Sequence, residues 1–172
     1  IDNDTYYLPF ATSLRMSDIG YKNSIQSDLF ISLNDLKDYT RQLKDATAIK
    51  SQVFEKIFNK VSDPRSQLNS SIIQIEDEYY SVARPKSSSE LDIRLSNKLD
   101  QHGIDYVELR SIDLNPFNNI GINEETINFL EIFLVFSTFT SSRKMFDSEY
   151  KACNQNDIDV STKGREPNLL LT

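Results

Sequence analysis

The sequence predicts an α+β fold, and two kinds of pattern support this prediction. Apolar residues recur at helical spacing in several stretches, whereas the segment from Tyr106 to Arg110 alternates between apolar and polar residues with the period of a β-strand. A chain of 172 residues with 38% apolar and 26% charged residues can form a domain with a hydrophobic core. We therefore expect a sheet with helices packed against it.

The first 60 residues are predicted to contain extended chain followed by two helices. Residues 1–21 are interpreted as extended chain and loop, because Pro9 and Gly20 interrupt them. Asn34 is a candidate N-cap for the first helix. The second helix carries an apolar and aromatic stripe that we expect to lie in the core, and it continues to about Lys60, before a break at Asp63-Pro64.

The next segment, Ser71 to Tyr80, is predicted to be a strand that enters a polar site. Its Glu76 and Glu78 would share one face about 7 Å apart. Such a pair could bind a cation or act as a general acid and base, and two exposed acids are the alternative. A leucine repeat then predicts a helix, which the serines at 87–89 could cap and which Gly103 ends.

The strand that begins at Tyr106 is the centre of the predicted fold. Glu108 and Arg110 lie on its polar face, where an oxygen ligand beside a fixed cation would suit a site for metal and phosphate. An ion pair on a solvated sheet face is the alternative interpretation. After a turn at residues 115–117, Asn123 is predicted to cap a helix that is apolar almost all round, and we expect this helix to be packed inside, supporting the strand.

Composition excludes several classes of function. The net charge of -7 and the pI near 4.8 argue against a nucleic-acid or anionic-membrane surface. Cys153 and His102 are the only residues of their types, so the sequence contains no internal disulfide and no Cys/His zinc site. It contains no signal peptide pattern and no apolar run long enough to span a membrane, so we expect a cytoplasmic protein. The start at Ile1 suggests a piece of a longer chain.

Three segments resemble those of a known enzyme family. The stretch Y-V-E-L-R-S-I-D-L-N-P-F, residues 106–117, resembles the signature segment of the proteobacterial-type glutamate-cysteine ligases. A-T-S-L-R-M-S-D-I-G-Y at 11–21 and Q-I-E-D-E-Y-Y with R-P-K at 74–86 are similar to two further segments, and G-R-E-P at 164–167 matches a G-R-x-P motif. The chain departs from the family at Asp77, where Asn is usual, at Ser87, where a basic residue is usual, and at 153–159, where the family places a tryptophan-bearing segment.

The resemblance implies roles for seven residues. Arg15 and Arg110 would contact the transferred phosphoryl group, and Glu108 would bind Mg²⁺. Tyr21 would line the cysteine subsite. The remaining three would contact the nucleotide, with Tyr80 at the adenine and Arg84 and Lys86 at the phosphates.

The resemblance also implies a fold and a reaction. The fold would be part of a curved antiparallel or mixed sheet like that of glutamine synthetase, with helices outside, and residues 1–172 would be the central, catalytic part of a ligase domain that is incomplete at both ends. With ATP as co-substrate, the enzyme would join the γ-carboxylate of glutamate to the amine of cysteine through a γ-glutamyl phosphate, the first step of glutathione synthesis. The alternatives are a non-catalytic truncated remnant and a related ligase that uses another amine.

Overall fold

The chain forms two compact units, which are described separately. The computed structural model describes residues 4, 7–21, 24–26, 29–60 and 67–172. Unit 1 comprises Ile1–Ser17 and Ile112–Thr172, and unit 2 comprises Asp18–Ser111. The helices are α1 (Leu36–Ala46), α2 (Gln52–Phe58), α3 (Leu95–His102), α4 (Glu124–Phe139) and α5 (Asp147–Lys163), and the strands are β1 (Ala83–Lys86) and β2 (Tyr106–Leu109), with short 3-10 helices at Ser24–Gln26 and Glu76–Glu78. These elements confirm the predicted α+β class, and none of the described helices is long and apolar enough to cross a membrane.

Unit 2 contains the hydrophobic core of the described residues. Helices α1 and α3 pack against each other, and their apolar faces meet Ile31, which precedes α1, and Ile73 and Tyr79, which lie between the two helices in the sequence. The N-cap of α1 is Asp35, not the predicted Asn34, and the Asp35 carboxylate accepts hydrogen bonds from the first-turn backbone. Helix α2 was expected to contribute its apolar stripe to the core, but none of its residues is buried. The predicted break at residues 63–64 lies outside the described residues.

The sheet consists of two antiparallel strands whose two faces differ in polarity. Residues 83–86 of β1 pair in reverse order with residues 106–109 of β2, so that Arg84 is opposite Glu108 and Pro85 is opposite Val107. Side chains alternate between the faces of a strand. Arg84 and Glu108 therefore belong to a polar face, whereas Pro85 and Val107 belong to an apolar face. A strand forms at the predicted position as β2, but burial does not alternate along it, since Tyr106 and Val107 are both exposed and Glu108 and Leu109 are both half-buried. Arg110 lies one residue beyond its end.

The predicted strand at residues 71–80 is wrong. Its carboxylates lie in the 3-10 turn Glu76–Glu78, and the strand forms further along the chain as β1. Glu76 is buried, and it accepts hydrogen bonds from the backbone N–H of Ser96 at 2.8 Å and from the Ser96 hydroxyl at 2.6 Å. Because Ser96 lies in the first turn of α3, the carboxylate satisfies an N–H group that has no partner within the helix. The interpretations of Glu76 as an exposed acid or a cation ligand are therefore wrong.

The serines at 87–89 do not cap α3, which begins only at Leu95. Instead, the hydroxyls of Ser87 and Ser88 and the backbone N–H of Ser88 donate to the Asp105 carboxylate. These hydrogen bonds, chiefly the one from the Ser88 hydroxyl, lower the pKa of Asp105. The contact joins the end of β1 to the start of β2. Gly103 ends α3 as predicted, with a φ of 77° that favours glycine.

Unit 1 contains α4 and α5 but no comparable core among its described residues. Asn123 caps α4 as predicted, with its side chain accepting from the Thr126 N–H. The expectation that this helix is packed inside is wrong, because α4 contacts no other helix or strand of the described part of the chain and has no buried residue. No described helix or strand forms a layer over it. Helix α5 was not predicted.

Candidate active site

Four charged side chains form a connected group on and beside the polar face of the sheet. Lys86 lies between two carboxylates, with its Nζ 3.7 Å from Asp77 Oδ1 and 3.8 Å from Glu108 Oε2. Asp77 Oδ1 also accepts from Arg84 Nη2 at 3.3 Å. The two strands and the 3-10 turn that contains Asp77 therefore bring cations and anions together in alternation, an arrangement that can bind a phosphate once a cation exchanges its partner.

Arg84 is the buried member of this group. Its relative exposure is 2%, and its guanidinium donates to the Asp77 carbonyl at 3.2 Å and to the Glu76 carbonyl at 3.5 Å. Arg84 Nε and the buried Tyr39 hydroxyl have no hydrogen-bond partner of normal geometry among the described residues. Burial raises the pKa of the Tyr39 hydroxyl, and the nearby Arg84 charge partly offsets this effect. Arg84 thus holds the Glu76–Glu78 turn, whereas Lys86 is the more accessible cation.

Two aromatic rings and one guanidinium stack beside this charged group. The rings of Tyr21 and Tyr80 are 6.3 Å apart between centroids and inclined by only 13°. The Arg110 guanidinium carbon lies 5.2 Å from the centroid of the Tyr80 ring, and the Tyr80 hydroxyl donates to the Arg110 carbonyl at 3.4 Å. Tyr21 is 63% exposed. Such a stack offers a flat, accessible π surface next to a fixed positive charge.

In unit 1, the segment that carries Arg15 is anchored by Asp113. The Asp113 carboxylate accepts from the Arg15 backbone N–H at 2.9 Å and from the Ser13 hydroxyl. The Ser13 oxygen in turn accepts from the Met16 N–H at 3.0 Å. Asp113 belongs to the R-S-I-D part of the signature segment, so this contact joins two motifs that are about a hundred residues apart in the sequence. It fixes the backbone from which the Arg15 side chain extends.

The end of α5 anchors the same segment from another direction. The Ser161 carbonyl accepts from the N–H groups of Thr12 and Ser13 at 2.8 and 3.2 Å. Gly164 allows this approach, because a Cβ at that position would lie 2.8 Å from the Thr12 methyl carbon and 2.4 Å from the Val160 carbonyl oxygen. Arg165 donates from its backbone N–H to the Phe10 carbonyl at 3.1 Å. The G-R part of the G-R-E-P motif is therefore explained by packing.

The structure brings together six of the seven predicted site residues within unit 2: Tyr21, Tyr80, Arg84, Lys86, Glu108 and Arg110. Arg15 belongs to unit 1. In the described part of the chain, no three His, Cys, Asp or Glu side chains are grouped so that they could hold a metal ion. Glu108 shares the charged group with one other carboxylate, Asp77, and Lys86 contacts both, so the described residues do not by themselves supply three protein ligands for a magnesium ion.

Sequence reasoning missed the contributions of Asp77 and Asp113. Asp77 was noted only as a departure from the family, although the two basic residues that it contacts, Arg84 and Lys86, follow it closely in the sequence. Neither of two surface cavities of unit 2, of about 510 and 190 Å³, includes a candidate site residue.

Comparison with known proteins identifies the family to which these motifs belong. The sequence model of the glutamate-cysteine ligase family matches residues 1–160. The chain belongs to the glutamate-cysteine ligase family. The match includes every residue of the candidate site, the Asp113 anchor and most of α5.

Two curated members and one solved structure show how much of a ligase the chain represents. The glutamate–cysteine ligases of Aliivibrio fischeri (strain MJ11) and Aliivibrio salmonicida (strain LFI1238) are each 44% identical over 167 residues, which is 97% of this chain and 32% of theirs. A crystal structure of the Francisella tularensis glutamate–cysteine ligase in complex with AMP is 36% identical, with a TM-score of 0.87 over 95% of this chain and 33% of that chain. The chain thus spans about a third of the length of its curated relatives.

Proposed function

We propose that this chain supplies part of the active site of an ATP-dependent ligase that joins the γ-carboxylate of glutamate to the amine of cysteine, the first step of glutathione synthesis. The observation that carries the proposal is the stack of Tyr21, Tyr80 and Arg110 beside the Lys86–Glu108 pair. An aromatic surface next to two cations matches the chemistry of a nucleotide, whose base stacks and whose phosphates are anionic. The AMP complex of the Francisella enzyme supports this choice of ligand.

The residues divide between nucleotide binding and phosphoryl transfer. Tyr80 stacks on the adenine, and Lys86 contacts the phosphates after leaving its carboxylate partners. Arg84 has an indirect role, because its guanidinium is buried against the turn that contains Asp77. It holds this turn in place, and the turn orients Lys86. Arg110 and Arg15 stabilise the charge on the transferred phosphoryl group, since a guanidinium offers several fixed donors to phosphate oxygens. Tyr21 contacts the cysteine substrate.

Glu108 is the one magnesium ligand that we assign to this chain. Magnesium usually binds one or two carboxylates together with water and phosphate oxygens, where it neutralises phosphate charge. The further protein ligands that the family resemblance implies would come from elsewhere in a complete ligase. We also propose that β1 and β2 are part of a larger curved sheet like that of glutamine synthetase, and that residues 1–172 are the central part of the ligase domain, in a cytoplasmic enzyme.

Nucleotide binding by the chain itself tests the first part of this proposal. We expect AMP to bind the purified chain weakly and to show saturation-transfer NMR contacts through its adenine protons. Tyr80→Leu removes the ring and should weaken AMP binding about tenfold, because base stacking on an aromatic side chain contributes about 1–3 kcal/mol. Tyr150→Leu, on α5, is the matched control and should not change it. Equal binding by both variants would contradict the nucleotide role of Tyr80.

Substrate dependence tests the second part. The chain is expressed together with the part of the Aliivibrio fischeri ligase that it does not span, and ADP release is measured with ATP, glutamate, magnesium and various amines. We expect release to depend on cysteine. Tyr21→Phe should raise KM for cysteine more than KM for ATP or glutamate, because it removes one hydroxyl and keeps the ring stacked on Tyr80. ADP release that is faster with another amine than with cysteine would indicate a related ligase. A complex that assembles but releases no ADP would indicate a non-catalytic remnant.

A further inference from the structure

Helix α4 presents apolar side chains around its whole circumference. Between Ile127 and Phe139 its only charged residue is Glu131. Successive residues on an α-helix are turned by about 100°, so Ile127, Ile132, Phe133 and Val135 occupy four well-separated directions around the axis. All four are exposed, and Phe139 at the end of the helix is 86% exposed.

Nothing in the described part of the chain covers this surface. No other described helix or strand contacts α4, and the one ring stack on it joins Phe129 to Phe133 of the same helix, 5.9 Å apart. A helix that is apolar on every side is stable only inside a larger apolar environment, because water around it would contact large side chains in all directions. The helix therefore requires an occupant that surrounds it.

The properties of α4 exclude two other occupants. A helix of 16 residues is about 24 Å long, shorter than the roughly 30 Å hydrocarbon core of a bilayer, and it contains no lysine or arginine to form the polar face of a helix lying on a membrane. A second copy of this chain, related by a two-fold axis, would cover one side of the helix. The opposite side would stay in water.

We propose that α4 is a docking surface for the part of a glutamate-cysteine ligase polypeptide that this chain does not span, and that this part encloses the helix on several sides. The Francisella ligase contains the fold of this chain with a TM-score of 0.87, and the match occupies only 33% of that chain. About two thirds of a ligase polypeptide is therefore available to surround the same fold. The proposal rests on the proposed function, since it takes the partner from the same enzyme.

Co-expression tests the proposal, with the purified chain alone as the comparison. The tagged chain is produced together with the untagged part of the Aliivibrio fischeri ligase that lies outside the match. We expect the two polypeptides to purify together as a one-to-one complex. Hydrogen exchange of the α4 backbone amides should be at least about tenfold slower in this complex than in the chain alone, because enclosure suppresses local opening.

Three variants separate docking from folding. Phe133→Asp places a charge on the apolar surface and should reduce the recovered partner about tenfold, because an unpaired carboxylate is costly to bury. Phe133→Leu keeps the surface apolar and should retain the partner. Ser148→Asp introduces the same residue and charge at an exposed position in the first turn of α5, where a carboxylate is favourable, and should also retain it.

The outcomes distinguish this proposal from the proposed function. Failure of the wild-type chain to recover the partner, or equal recovery with Phe133→Asp, overturns the docking surface. So does a chain that forms a dimer alone with its α4 amides already protected, since a second copy would then be the occupant. A complex that forms through α4 but releases no ADP supports the docking surface and counts against the proposed ligase activity.

Discussion

At the scale of single residues, the buried carboxylate of Glu76 has a structural function. It is the acceptor for two groups of Ser96 at the start of α3, and that helix has no side-chain cap of its own. Two carboxylates close together in the sequence suggested a functional pair, but the backbone turn separates their surroundings. Glu78 remains at the surface, where its carboxylate accepts from the Gln74 N–H at 2.6 Å.

The first prediction is that Glu76→Ala lowers the free energy of unfolding by about 2–3 kcal/mol, because two buried donors lose a charged acceptor. Urea unfolding of the chain followed by far-UV circular dichroism measures this change. Glu78→Ala is the control, two residues away at the surface, and should cost no more than about 1 kcal/mol. Equal losses for the two variants would show that Glu76 does not cap α3.

The second prediction concerns Arg110. Arg110→Lys should lower kcat/KM for ADP release about 100-fold in the complex with the rest of the ligase, since lysine cannot provide bidentate phosphate contacts or the same stacking on Tyr80. Steady-state kinetics measure the effect. Arg41→Lys, at an exposed position of α1, is the matched control. Near-normal turnover of the Arg110 variant would exclude a phosphoryl contact.

At the scale of elements, α5 shows how a polar segment becomes a helix. Arg143 contacts Glu149 through both carboxylate oxygens, one of them 2.8 Å from Arg143 Nη1, and the Phe146 N–H donates to the same carboxylate at 2.9 Å. The arginine and this backbone hydrogen bond lower the pKa of Glu149 from 4.5 to about 2. The carboxylate thus organises the first turn of the helix.

The third prediction follows from this lowered pKa. A carboxyl group whose pKa is lower in the folded state contributes stability above its ordinary pKa, and this contribution is lost as pH falls towards about 2. NMR chemical shifts of residues 147–150 should therefore report fraying of the α5 start between about pH 4.5 and 2. The Glu149→Gln variant should show fraying at neutral pH and little further change on acidification. A pH-independent first turn in the wild-type chain would contradict the prediction.

The elements that the sequence predicted correctly have strong local signals. The Asn123 cap with two following glutamates defines the start of α4, and alternation defines β2. The β1 strand was missed because it is four residues long and contains Pro85, which usually argues against a strand. Helix α5 was missed because its asparagines and aspartates are weak helix formers.

The family motifs identified the residues that lie together in unit 2, whereas the non-local contacts were not predicted. The roles of these residues in the site stay predictions. The residues of the stack and the charged pair were all identified from their motifs. The anchoring of Arg15 by Asp113 could not be predicted, because about a hundred residues separate them and no local pattern records the contact. The exposure of α4 could not be predicted either, since hydropathy indicates that a helix needs cover but not which polypeptide provides it.

At the scale of the whole molecule, the two units differ in how they are stabilised. Unit 2 has a core formed by α1, α3 and their loops. In unit 1 the described residues that are buried are Met16, Ser17 and Ser161, and hydrogen bonds to residues 10–15 account for much of the contact with α5. Since hydrophobic burial is the main favourable contribution to folding, we expect unit 1 to be the less stable unit.

The fourth prediction is that the 172 residues alone have no ligase activity. The described residues contain no group of three candidate metal ligands, and Arg15 belongs to the unit without a core. A coupled assay of cysteine-dependent ADP release from the purified chain measures this. The same assay with the rest of the ligase added is the positive comparison. Turnover by the chain alone would show that the site is complete without further ligands.

The proline in β1 also affects which edge of the sheet can pair with a further strand. The Arg110 N–H donates to the Val82 carbonyl at 2.8 Å, and in an antiparallel pair the hydrogen-bonding groups alternate in direction from residue to residue. Because Val82 pairs with Arg110 in this way, the backbone groups of Arg84, two residues on, also point towards β2. The backbone of Pro85 points away from β2, towards the outer edge of β1, and proline has no backbone N–H to donate there. A strand that paired with the outer edge of β1 would find no backbone N–H donor at Pro85, in the middle of β1. If the sheet is larger in a complete ligase, we therefore expect its further strands to pair with β2 and not with β1.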